Sequence, residues 1–80
     1  MNTTTETRSI ATIAREIRQD WKKPYFGAVP YIGAMLSLHD ISDKYGYDDA
    51  RGIIMYFLSN AGQWRGETAR RVKAELKAML

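Results

Sequence analysis

The chain has 80 residues, 45% of them hydrophobic and 26% charged, with a formal net charge of +3 and no cysteine. That length supports one domain, 1–80, with a single core, because a chain of this size buries only about 60–65% of its unfolded surface. The composition excludes a disordered chain, and the missing thiols exclude a disulfide framework or a thiolate metal site, which fits a reducing cytoplasm.

The charge is unevenly spread. Residues 1–23 carry five basic and three acidic side chains, 24–63 two and four, and 64–80 five and two. The ends are therefore basic and the middle mildly acidic, a layout that attracts polyanions to the ends but lacks the excess of a dedicated nucleic-acid binder. The opening "MNTTTETRSIATIARE" lacks the basic-then-apolar layout of an export signal. The longest charge-free run, Pro24 to His39, is too short and too broken by proline and glycine to span a bilayer. A cytoplasmic protein without a membrane segment is expected.

In chain order, "TTTE" offers a capping box in which Thr3 and Glu6 exchange bonds at the start of a first helix, with residues 1–5 frayed. Ile10, Ile13, Ala14, Ile17 and Trp21 recur at helical spacing and form its apolar stripe, and Pro24 ends it. "PYFGAV" is a loop or short turn carrying aromatics. Pro30 suits the first position of a second helix, predicted to run to Tyr45 with Gly46 as its left-handed stop. Over that length Tyr31, Ile32, Met35, Leu36, Leu38, His39, Ile41 and Tyr45 cover more than half the circumference, so the helix needs neighbours on several sides.

Asp48 is the predicted cap of a third helix, with Asp49 adding favourable charge. Ala50, Ile53, Ile54, Phe57, Leu58, Ala61 and Trp64 form its buried face, and Tyr56 falls on the polar side. A fourth helix is predicted from Arg65 to the end, striped by Ala69, Val72, Leu76 and Met79. No segment alternates for long and no Asn-Gly or Asp-Gly hairpin is present, so no strand is expected. The predicted fold is all-α, a compact four-helix bundle-like single domain.

The segments "DWKKPYFGAVPYIGAM" and "IIMYFLSNAGQWRGETARRVKAELKAML" resemble a family of small proteins encoded by actinobacterial phages, over most of the chain. No activity is established for that family. The resemblance implies a phage accessory protein acting inside a bacterial host, and it transfers no functional residue.

Two sets of surface residues are candidates for function. The first is basic. On the predicted wheels Arg8, Arg15, Arg18 and Lys22 share one flank of the first helix, and Arg70, Lys73 and Lys77 one flank of the fourth. If these helices pack antiparallel through their stripes, the flanks fall on one face that can contact nucleic-acid phosphates; the competing reading is an ordinary solvated surface. A helix-turn-helix at "TIAREI" is not supported, because Arg18 stands where a turn glycine belongs and Pro24 interrupts the recognition helix.

The second set is aromatic. Tyr25, Phe26, Tyr31 and Tyr56, with Arg65, are of the residue types enriched at the energetic centres of protein interfaces. Together with the surplus apolar arc of the second helix they suggest a homo-oligomer, or a host or phage protein as partner.

Chemistry-bearing motifs are absent. His39 precedes Asp43 by four residues, with Ser37 and Ser42 nearby, but the cluster has no nucleophile turn, and a partly buried structural histidine is the expected reading. Asp40, Asp43, Asp48 and Asp49 do not follow calcium-loop spacing, and Gly62 and Gly66 do not form a phosphate loop. The expected function is a noncatalytic, self-associating protein-interaction module with no metal or cofactor. The alternative is a nucleic-acid-binding accessory factor.

Overall fold

The structure, a computed structural model, describes residues 8–80. The capping box expected at Thr3 and Glu6 and the fraying expected of residues 1–5 lie outside them. Among the described residues the chain forms α1 (Ile10–Asp20), α2 (Val29–Met35), β1 (Lys44–Tyr45), β2 (Asp48–Asp49), α3 (Ala50–Ser59) and α4 (Glu67–Ala78). The fold is predominantly helical, with one two-stranded antiparallel ribbon. Among the described residues no helix is long and apolar enough to cross a membrane.

α1 begins at Ile10 because Ser9 is its cap. Ser9 has extended backbone, and its Oγ accepts from the Thr12 amide at 3.1 Å. The Ile10 and Ala11 amides have no acceptor in their own helix. They donate instead to the carbonyls of His39 and Leu38, at 2.9 and 3.0 Å. Ile10, Ile13, Ala14 and Ile17 are buried along the predicted stripe. The helix ends at Asp20, and Trp21 turns away with φ −96 and ψ 86, before Pro24 is reached.

α2 is much shorter than the predicted helix to Tyr45. After Met35 the Ser37 and Leu38 amides fold back onto the carbonyls of Ala34 and Met35, tightening the last turn. Two aspartates then hold the chain out of helical geometry. Asp43 Oδ2 accepts from the amides of His39 and Asp40 at 2.8 and 3.2 Å. Asp40 Oδ1 accepts from both the hydroxyl and the amide of Ser42, and those two donors keep the Asp40 carboxyl below its usual range. Side chains that bond the local backbone in this way compete directly with a helix ladder. The surplus apolar arc disappears as a result: Leu38 is buried, Ile41 is partly buried against the core, and Tyr45 stands half exposed in β1.

The ribbon corrects the expectation of no strand. Lys44 pairs with Asp49 and Tyr45 with Asp48 across a two-residue turn of Gly46 and Tyr47. Gly46 has the left-handed φ of 65° expected of it, but uses it at the first turn position of a hairpin rather than to stop a helix. The pairing also moves the α3 cap by one residue. Asp48 is taken up by β2, and Asp49 accepts from the Gly52 amide at 2.8 Å.

α3 buries Ala50, Ile53, Ile54 and Phe57 and stops at Ser59. A connection through Ala61 and Trp64, both buried, leads to Gly66, whose φ of 113° opens α4. α4 lies antiparallel to α1, as expected. Arg8 meets Glu75 at one end of the pair, Glu16 meets Arg71 along it, and Asp20 meets Trp64 at the other end. The core closes on three aromatic rings. Trp21 and Trp64 stack at 5.8 Å, and Phe57 presents its edge to each at 6.4 Å. The Cα radius of gyration, 12.0 Å, matches the roughly 12 Å of one domain of this length, so the helices share a single core.

Candidate functional site

The aromatic set is largely brought together. The turn that starts α2, fixed by bonds from the Ala28 and Val29 amides to the carbonyls of Tyr25 and Phe26, holds those two rings 4.8 Å apart. Tyr31 on α2 stacks on Tyr56 of α3, with centroids 5.6 Å apart. Asn60 joins the two pairs: its side-chain amide donates to the Tyr56 carbonyl at 2.8 Å, and a Cβ placed on Gly27 would come within 2.7 Å of both Asn60 Oδ1 and the Tyr25 ring. Only glycine lets the loop lie this close to the end of α3.

The result is an aromatic edge running from Phe26 through Tyr25 and Asn60 to the Tyr56–Tyr31 stack. Tyr25 and Tyr31 are partly covered by the core, whereas Phe26 is 79% and Tyr56 60% exposed. Met55, next to Tyr56 on α3, is also exposed, whereas the exposed Val29 lies on the other side of α2, towards Arg18 and Lys22. Arg65 does not join this edge. It lines a separate groove with Gly62, Trp64, Gly66, Arg70 and Lys73.

The basic residues are not gathered on one face. The facing flanks of α1 and α4 are those carrying Glu16, Arg71 and Glu75, with Arg8 and Arg15 beside them, whereas Arg18 and Lys22 lie towards α2 and Arg70 and Lys73 on the far side of α4. Arg8 is engaged by two carboxylates, as a fork onto Glu75 at 2.6 and 3.0 Å and as an ion pair with Glu16 at 2.9 Å. The Glu75 bond above all raises its already high pKa. Arg15 borders a shallow pocket with Glu16, Gln19 and Arg71, while Arg18 and Lys22 lie beside Val29 and Gly33 of α2. On the far side of α4, Arg70 pairs with Glu67, and Lys73 donates to the Trp64 carbonyl at 2.6 Å. Lys77 follows Lys73 by one turn. The four basic residues of the first set and the three of the second therefore do not add into a shared surface, because α1 and α4 meet through ion pairs of Arg8 and Arg71 with Glu75 and Glu16.

His39 is exposed, not partly buried. Asp43 binds its backbone amide, so it does not orient the ring, and the Ser42 hydroxyl is given to Asp40. A cleft of about 660 Å³ lies between Arg8, His39, Ile41 and Met79. Most of its polar walls are already bonded, Arg8 to Glu75, Ser9 to Thr12, and Asp40 to Ser42, which leaves the His39 imidazole. No group of three or more histidine, aspartate or glutamate side chains able to hold a metal ion is found among the described residues.

Comparison with protein-family models, curated proteins and solved structures finds no match.

Asn60 and Met55 escape the sequence reading of the edge. Asn60 looks like a turn residue, and nothing in its spacing reveals that its side chain lies against Gly27 beside the Tyr25 ring. Met55 carries a legible signal, since it shares a helical face with Gly52, Tyr56 and Ser59.

Proposed function

We propose that this protein is a noncatalytic interaction module that self-associates through the aromatic edge of Tyr25, Phe26, Tyr31 and Tyr56. One observation carries the reading: two paired sets of aromatic rings stand together at the surface, Tyr25 and Tyr31 resting against the core while Phe26 and Tyr56 stay mostly exposed. Leaving one large apolar side chain in water forgoes about 1.5–3 kcal/mol of burial. Neighbouring residues exposed in this way supply a concentrated gain to whatever covers them. A two-fold interface covers the edge with its own copy. The turn before α2, α2 itself and α3 hold the rings, and no movement is needed to present them. A role as a phage accessory protein inside a bacterial host rests on the resemblance of residues 20–35 and 53–80.

The test is sedimentation equilibrium of the protein beside Phe26→Ser and Tyr56→Ser. The expected result is a dimer that both substitutions shift to monomer with helical circular dichroism retained. A wild-type monomer at all concentrations, or a dimer indifferent to both changes, overturns the reading.

A further inference from the structure

The outward flank of α4 carries a second surface, independent of the aromatic edge. Lys73 is fixed by its bond to the Trp64 carbonyl, and its Nζ lies 5.9 Å from the centre of the Trp64 ring. Lys77 stands on the same flank one turn later, and Arg65 approaches from the connection before α4. No carboxylate of the described residues makes an ion pair with any of the three. Burial of the Lys73 ammonium pushes its pKa down, and Arg65 and Lys77 push it further, as expected of like charges crowded without a counterion. Arg70, one turn before Lys73 and Ala74, is already paired with Glu67.

The groove beside Arg65 and Lys73 measures about 490 Å³; Glu67 also lines it, with its carboxylate engaged by Arg70, and Lys77 lies beyond it on the same flank. Cβ positions on Gly62 and Gly66 would meet nothing within 4 Å, so a bulky anion can approach the backbone there. Trp64 itself is buried and offers no face for a base to stack on. We infer that Arg65, Lys73 and Lys77 form a contact site for the phosphate backbone of duplex nucleic acid, independent of base sequence. Cations held on one rigid helix and its preceding turn suit a charged ladder of fixed spacing, and the missing stacking platform favours a duplex over a single strand. Arg18 of α1 and Lys22 just after it, which lie beside α2, take no part.

Fluorescence anisotropy with labelled short duplexes of two unrelated sequences tests this. Three phosphate contacts predict equal affinity for both duplexes and a slope of log affinity on log salt of about −2.7, or about 40-fold weakening between 50 and 200 mM. The double substitution Arg65→Ala and Lys77→Ala should leave the circular dichroism spectrum unchanged and flatten the slope to about −1. Arg18→Ala with Lys22→Ala should change neither. The site is overturned by absence of binding at 50 mM salt, by loss of binding in the Arg18/Lys22 pair instead, or by a polyglutamate competitor that binds more tightly than duplex.

Discussion

Trp64 and Asp20, 44 residues apart in the chain, share a hydrogen bond of 2.8 Å from the indole Nε1–H to Oδ2. The bond joins the end of α1 to the connection before α4. It also satisfies the one polar atom of a side chain that is otherwise buried against Trp21 and Phe57. Trp64→Ala removes the ring from the core and is expected to cost about 3–5 kcal/mol, a large share of the stability of a domain this small. Asp20→Ala keeps the ring but strands its donor, for about 1–2 kcal/mol. Urea unfolding of both variants checks the order; an equal loss would show that the hydrogen bond, not the packing, dominates.

Glu16 predicts a dependence on pH. Its carboxyl is held below the usual carboxylate range, first by its bond to Arg71 and then by Arg8. A group whose folded pKa is depressed stabilises the fold fully above its unfolded pKa, about 4.3, and the contribution is lost as pH falls through the folded value. Glu16→Gln should therefore cost about 1 kcal/mol at pH 7, with the gap to wild type narrowing from about pH 5 downward. Parallel stability profiles for the two proteins between pH 7 and 3 would rule out this role.

The helical stripes were legible in the sequence because each depends only on local periodicity, and Ile10 to Ile17, Ile53 to Phe57 and Ala69 to Leu76 are buried where that periodicity places them. The second helix was misjudged for a physical reason. Leu38, Ile41 and Tyr45 continue an apolar pattern that helix spacing accepts, while the outcome is decided by Asp40 and Asp43 bonding nearby amides and by α1 capturing the carbonyls of Leu38 and His39. The latter is a tertiary event with no local signature. The candidate aromatic residues were recognisable by type, but their grouping depends on Gly27 fitting beside Asn60, which composition does not reveal.

Two glycines should respond in opposite directions to alanine. Gly33 lies within α2, is exposed, and has open space where a Cβ would stand, so Gly33→Ala is expected to stabilise by about 0.5–1 kcal/mol. Gly66 also has open space, but its φ of 113° is strained for any side chain, so Gly66→Ala is expected to destabilise by about 1–3 kcal/mol. Thermal unfolding of the pair separates backbone geometry from crowding, since neither site is crowded.

Asp43 and His39 likewise separate backbone from side-chain roles. Asp43→Ala removes the acceptor of two amides and should cost about 1–2 kcal/mol, whereas His39→Ala leaves those bonds in place and should stay within about 0.5 kcal/mol of wild type. Equal losses at the two positions would mean that the imidazole contributes to the turn.

The bonds from Ile10 and Ala11 to the carbonyls of His39 and Leu38 set the order in which backbone protons become accessible. The first turn of a helix normally exchanges with solvent quickly because its amides lack intrahelical acceptors. Here those amides are closed by a segment more than twenty residues away, so their deuterium uptake will follow the opening of the 38–43 turn rather than local fraying. Asp43→Ala should accelerate exchange at Ile10 and Ala11 as well as at His39 and Asp40, and so link in time two stretches that sequence keeps apart.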